Sequence, residues 1–114
     1  MRNKKDVSII AVIGAGIMGR GIAHVAALGG FQTVLNDVSD ELLQKAQTRI
    51  RQNLNKAISL GKFSDSEMDA ALGRLTLDNN LDRAVENADL VIEAVPEKIE
   101  LKLDVFRRLD HASP

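Results

Sequence analysis

Three glycines at G-x-G-x-x-G spacing, Gly14, Gly16 and Gly19, stand directly after the run Val7-Ser8-Ile9-Ile10-Ala11-Val12-Ile13. A short β-branched run suits a strand buried on both faces. Beyond the glycines, Met18, Ile22, Val25, Ala26 and Gly29 recur at helical spacing, which predicts a helix packed through those residues. Strand, glycine turn and helix in this order form a phosphate-binding unit. Gly14 permits the tight turn, Gly16 lets a pyrophosphate approach the backbone, and Gly19 lets the helix close on the strand. Ala15, Ile17 and Met18 complete the loop, and the helix N-terminus presents N–H groups and partial positive charge to the anion. Gly21 adds a further small residue for helix packing.

Two other readings of the same stretch compete. Arg2, Lys4 and Lys5 followed by an apolar run and then Ala23 to Ala27 loosely match a secretory signal. Asp6 before the run and three glycines within it argue against that, since glycines replace helix formers. A membrane span needs about 20 apolar residues, and Arg20 interrupts the run.

The next segment of the chain favours the phosphate unit. Gln32-Thr33-Val34-Leu35-Asn36 reads as a second strand, and Asp37 stands at its end, 23 residues after Gly14. An acid at that place meets the hydroxyls of an adenosine ribose. Its carboxylate would repel a 2′-phosphate, and Val38 offers no guanidinium to receive one, so the expected cofactor is NAD rather than NADP. A helix cap is the other use for Asp37, a role that Ser39 or Asp40 could fill equally well.

The alternation continues. Asp40 and Glu41 open a helix with a stripe of Leu42/Leu43, Ala46, Ile50, Leu54 and Ala57/Ile58, ending near Gly61. Ser64-Asp65-Ser66-Glu67 is a capping box for a helix through about Leu72. Leu75-Thr76-Leu77 is a strand, residues 82–88 a small helix, and Leu90-Val91-Ile92-Glu93-Ala94 a buried strand. Pro96 admits a helix from Glu97 to Leu109, with Ile99, Leu103 and Phe106 on one face. The fold class is α/β, a Rossmann-type doubly wound parallel sheet of about four strands, incomplete at one side.

Bulk properties agree with one dinucleotide-binding domain over residues 1–114. The 114-residue chain is 45% hydrophobic, 27% charged and 3% aromatic, a globular composition. A net charge of −1 gives no reason to expect nucleic acid as a partner, and no segment suits a membrane. With no cysteine there is neither a disulfide frame nor a thiolate metal site, which fits the cytoplasm.

"VIGAGIMGRGIAHVAALGG", the acid in "LND", the long second helix and "ADLVIEAVPEKIELKLDVFRRLD" together resemble the N-terminal NAD-binding part of 3-hydroxyacyl-CoA dehydrogenases. The glycine loop is shared with many Rossmann proteins, whereas "VIEAVPE…K" is more specific. The resemblance implies an oxidoreductase interconverting 3-hydroxyacyl-CoA and 3-oxoacyl-CoA. It places Glu97 and Lys102 near the nicotinamide-side ribose, with Ala94 and Val95 contributing backbone. From the residues alone, Glu97 and Lys102 are equally an ordinary pair of solvated helix charges. On the substrate side it implies Asn53 near the CoA moiety and Lys56 or Lys62 at a CoA phosphate. Crystallin-like sugar-acid dehydrogenases share a similar "VPE…K" segment and stay open as an alternative, as does a non-catalytic nucleotide-binding module.

The family's general base is a His–Glu pair, with Ser and Asn orienting the substrate oxygen, all in segments beyond a helix matching the one expected to end near Leu109. His24 in the first helix and His111 at a helix end lack a carboxylate at dyad spacing. The expectation is a cofactor cradle without catalytic residues and without the family's C-terminal helical domain. Strand 90–94 would then have an unpaired edge through which two copies could associate.

Overall fold

The computed structural model describes residues 7–95 and 98–103. Its elements are β1 (Ile9–Ile13), α1 (Ile17–Leu28), β2 (Gln32–Asn36), α2 (Asp40–Ser59), α3 (Asp65–Gly73), β3 (Leu75–Asp78), α4 (Leu81–Val85), β4 (Leu90–Val95) and β5 (Lys98–Leu103). They form one sheet in the order β3-β2-β1-β4-β5. β1 pairs in parallel with β2 and β4, and β2 with β3, pairings that need crossover connections between the strands. The opening stretch is therefore strand, turn and helix, not the continuous helix of a signal sequence. Among the described residues no helix is long and apolar enough to cross a membrane.

Packing explains the first helix, with a correction. Its buried residues are Gly19, Ala23, Ala26 and Ala27; of the periodic pattern, Ala26 is buried and Ile22 packs half-buried against the core, while Met18 and Val25 turn outward. Val25 is 69% exposed and Met18 38%. A helix that begins against the strand it follows can place only small side chains at the contact. Gly21 does not serve packing, because it faces open space. Val12, Leu35 and Ala23 are wholly buried between sheet and helix. In α2 the buried stripe is Leu43, Ala46, Ile50 and Leu54, while Leu42 is turned out. Ile50 and Leu54 meet Met68 of α3 in a second cluster, with Leu28 and Phe63 against it. α3 carries the expected capping box of Ser64 and Glu67.

Long-range polar contacts pin the sheet. Buried Asp89 accepts through Oδ2 from the N–H groups of Ser8, at 2.9 Å, and Ile9, at 3.0 Å. Arg74 donates from Nε to the Ala27 carbonyl at 2.7 Å, satisfying an acceptor near the end of α1.

The last element departs from expectation. Residues 98–103 are not a helix. They form β5, antiparallel to β4 with Val95 opposite Lys98 and Leu90 opposite Leu103. The segment Lys-Ile-Glu-Leu-Lys-Leu alternates strictly between charged and apolar residues, the period of a strand. Folding back gives partners to β4 backbone groups that would otherwise be bare. The sheet thus has five strands instead of four, and the unpaired edge expected at 90–94 does not exist. The rest of the expected helix, with His111, lies outside the described residues.

Candidate functional site

The ends of β1, β2 and β4 meet at the start of α1. Gly14 adopts φ 104°, a left-handed conformation suited to glycine. Its N–H donates to the Asn36 carbonyl at 2.8 Å. A Cβ there would stand 2.5 Å from the Ala94 carbonyl oxygen, so Ala94 shapes the turn through its backbone. A Cβ on Gly19 would collide with the Gly14 carbonyl. These two glycines are required by the protein's own packing. Gly16 differs, being exposed with nothing within 4 Å of where its Cβ would lie. The space over Gly16 is free for a ligand to press against the backbone.

The helix that starts here is left open. Gly16 is the N-cap of α1, with no side-chain cap and no acidic residue in the first turn. The first bond into the helix runs from Arg20 N–H to the Gly16 carbonyl, at 2.9 Å. Ile17, Met18 and Gly19 therefore present N–H groups without helical partners. By contrast α2, α3 and α4 are capped by the side chains of Ser39, Ser64 and Asn80. An anion suits the α1 terminus, where the dipole is positive and no carboxylate competes.

Asp37 lies half-buried beside this loop. Its Oδ2 accepts from Ala15 N–H at 3.0 Å and its Oδ1 from Ser39 N–H at 2.9 Å. Ser39 itself caps α2, accepting from Leu42 N–H at 3.1 Å, so Asp37 is not the helix cap. Beneath it, buried Asn36 donates from Nδ2 to the Asp78 carbonyl at 2.8 Å. Arg83 grips the Asp78 carboxylate with two bonds of 2.7 Å, which holds that carboxyl below its ordinary pKa. Sequence reasoning missed this support. Its one local signal was the turn-prone Asp78-Asn79-Asn80.

The other expected residues divide. Ala94 joins the loop, and Val95 ends β4 at the same edge of the sheet. Glu97 lies outside the described residues. Lys102 stands opposite Val91 in β5, toward the far end of β4, so the register does not bring it to the loop. Asn53 and Lys56 are exposed on α2, and Lys62 is exposed just after it. An open groove of about 630 Å³ is lined by Arg20, Glu41, Lys45, Thr48, Arg49 and Gln52, among others. Lys56 continues its α2 side one turn beyond Gln52. His24 is partly buried on α1, makes no ion pair among the described residues, and has its pKa lowered by desolvation. Among the described residues no group of three His, Cys, Asp or Glu side chains could hold a metal ion.

The loop fits a dinucleotide: free space over Gly16, unpartnered amides at α1, and a carboxylate at the end of β2. Comparison with known proteins agrees. Residues 9–114 match the model of the 3-hydroxyacyl-CoA dehydrogenase NAD binding domain. A 3-hydroxybutyryl-CoA dehydrogenase of Bradyrhizobium diazoefficiens is 44% identical over 100 residues, 88% of this chain and 34% of that protein. A 3-hydroxyadipyl-CoA dehydrogenase of Escherichia coli K12 is 40% identical over 96% of this chain and 23% of its own length. The crystal structure of 3-hydroxybutyryl-CoA dehydrogenase from Escherichia coli K12 superposes with a TM-score of 0.77 at 42% identity, covering 82% of this chain and 20% of that one. The chain thus spans about a third or less of the length of these relatives. With residues that fit NAD and a family model covering all but its first eight residues, the chain belongs to the 3-hydroxyacyl-CoA dehydrogenase family, as its NAD-binding domain.

Proposed function

We propose that this domain holds NAD for a protein that interconverts 3-hydroxyacyl-CoA and 3-oxoacyl-CoA. The observation that carries the reading is the open α1 terminus above Gly16, with Asp37 beside it. The amides of Ile17, Met18 and Gly19 receive the pyrophosphate. Asp37 receives the adenosine ribose, keeping lone pairs for its hydroxyls after binding two amides. Ile17, 79% exposed, and Val38, 90% exposed, give the ligand apolar walls near the charged contacts. Bound nicotinamide supplies or accepts the hydride. Ala94 and Val95 bound the nicotinamide side through backbone, and Glu97 approaches the second ribose as the family resemblance implies, whereas the register opposite Val91 holds Lys102 away from it.

On the substrate side, Asn53 and Lys56 meet the CoA portion along the exposed face of α2. The groove along α2, ending at Gln52 one turn before Lys56, supports that path. His24 sits within α1 without an ion pair to a carboxylate among the described residues, so it is not assigned the proton transfer. A cytoplasmic location accords with the cysteine-free sequence.

Titration with NADH and NADPH, followed by nicotinamide fluorescence, tests the reading. Charge-assisted hydrogen bonds from ribose hydroxyls to Asp37, about 1.5–3 kcal/mol in all, predict NADH preference of roughly tenfold or more. Equal affinities, or no binding of either, would refute it.

A further inference from the structure

Asp37 is bonded to the glycine loop as well as placed beside it. Gly14 N–H goes to the Asn36 carbonyl at 2.8 Å and Ala15 N–H to Asp37 Oδ2 at 3.0 Å. The first two amides of the loop are thus consumed by the end of β2, and the amides of Ile17, Met18 and Gly19 stay available at α1. Asp37 Oδ1 is fixed in turn by Ser39 N–H at 2.9 Å, and Ser39 is anchored as the α2 cap. The carboxylate therefore joins the glycine loop to the start of α2. A loop with Gly14 at φ 104° and Gly16 in open space has much conformational freedom to lose, so a tether decides whether it is ordered for a ligand.

We propose that Asp37 is a positioning residue for the diphosphate in addition to a ribose acceptor. By holding Ala15 N–H it sets the loop so that the α1 amides converge on the phosphates. This rests on the dinucleotide reading above. An ionised carboxylate offers about four acceptor sites, so two amides and two ribose hydroxyls can share it. Its influence then extends to ligands that have no ribose hydroxyl.

The test compares ADP with 2′,3′-dideoxy-ADP, which has the same diphosphate and no ribose hydroxyls. Calorimetry on the wild-type chain, Asp37→Ala and Asp37→Asn gives affinities, and amide exchange by NMR follows Ala15 N–H. The expected result is that Asp37→Ala weakens 2′,3′-dideoxy-ADP by about fivefold or more, the loss expected when a hydrogen bond worth about 1 kcal/mol is removed. Exchange at Ala15 accelerates by a similar factor or more, and Asp37→Asn, which keeps one acceptor oxygen, falls between. If Asp37→Ala does not fold, the isosteric Asp37→Asn carries both comparisons. Loss of ADP affinity with unchanged 2′,3′-dideoxy-ADP affinity and unchanged Ala15 exchange would overturn the proposal, leaving Asp37 a ribose acceptor only. Failure of the wild-type chain to bind ADP would overturn the dinucleotide reading instead, while Ala15 exchange would still decide whether the tether exists.

Discussion

Gly19 lies so close to the carbonyl oxygen of Gly14 that any side chain on it would collide with that oxygen. The contact joins the first turn of α1 to the glycine loop through backbone alone, so there is no flexible side chain to give way. Gly16, between them in sequence, has no neighbour within 4 Å of its would-be Cβ. Two glycines of one motif therefore answer to different demands. Gly19→Ala is expected to destabilise the fold by about 3 kcal/mol or more, through overpacking against an immovable group. Gly16→Ala should cost under about 1 kcal/mol at a helix N-cap, yet weaken NADH by about tenfold, because the methyl occupies the space for the pyrophosphate. Urea unfolding and NADH titration of the two variants separate these effects.

Asp89 is the corresponding fixture at the other end of the sheet. It serves Ser8 and Ile9 N–H through one oxygen, and its own N–H donates to the Ile9 carbonyl at 2.8 Å. Asp89→Ala leaves two amides at the start of β1 without their acceptor and is expected to cost about 2–3 kcal/mol. The midpoint of a urea transition should fall with its slope unchanged, and NADH affinity at the opposite end should be retained in the folded fraction.

His24 makes stability depend on pH. Desolvation lowers its folded-state pKa below 6.5, so the unfolded chain binds a proton more readily. Its contribution is intact above the unfolded pKa, declines as pH falls through 6.5, and is fully lost below the folded pKa. Urea midpoints between pH 7.5 and 5.5 should fall on acidification, and His24→Gln should flatten that slope. An equal slope in the variant would assign the effect to other groups.

Hydride transfer to acetoacetyl-CoA is expected to be absent from the 114-residue chain even where NADH binds. A positioned acid or base contributes about 10²–10⁴-fold, and among the described residues His24 forms no ion pair with a carboxylate that would make it one. Loss of absorbance at the nicotinamide band, with and without acetoacetyl-CoA, measures this. Turnover within tenfold of a full-length relative would show that these residues hold the catalytic group.

The amino-acid sequence by itself determined the glycine motif, the acid at the end of β2, the capping box of α3 and the four strands that alternate with helices. Each is written in spacing over a few residues or a few turns, and the backbone must follow that period to bury its apolar side. Where two periods competed, local pattern was insufficient. Residues 98–103 alternate like a strand but also come after Pro96 and carry apolar residues at helical intervals. Tertiary structure decided for β5, because β4 had an edge to cover. It also decided that α1 packs through Gly19, Ala23, Ala26 and Ala27 while Val25 faces water, since only the distance to the sheet says how large a side chain fits. The tether from Asp37 to Ala15 and the bond from Asp89 to Ser8 join residues 22 and 81 positions apart. No periodicity spans such separations; they exist only once parallel pairing brings the strand ends together.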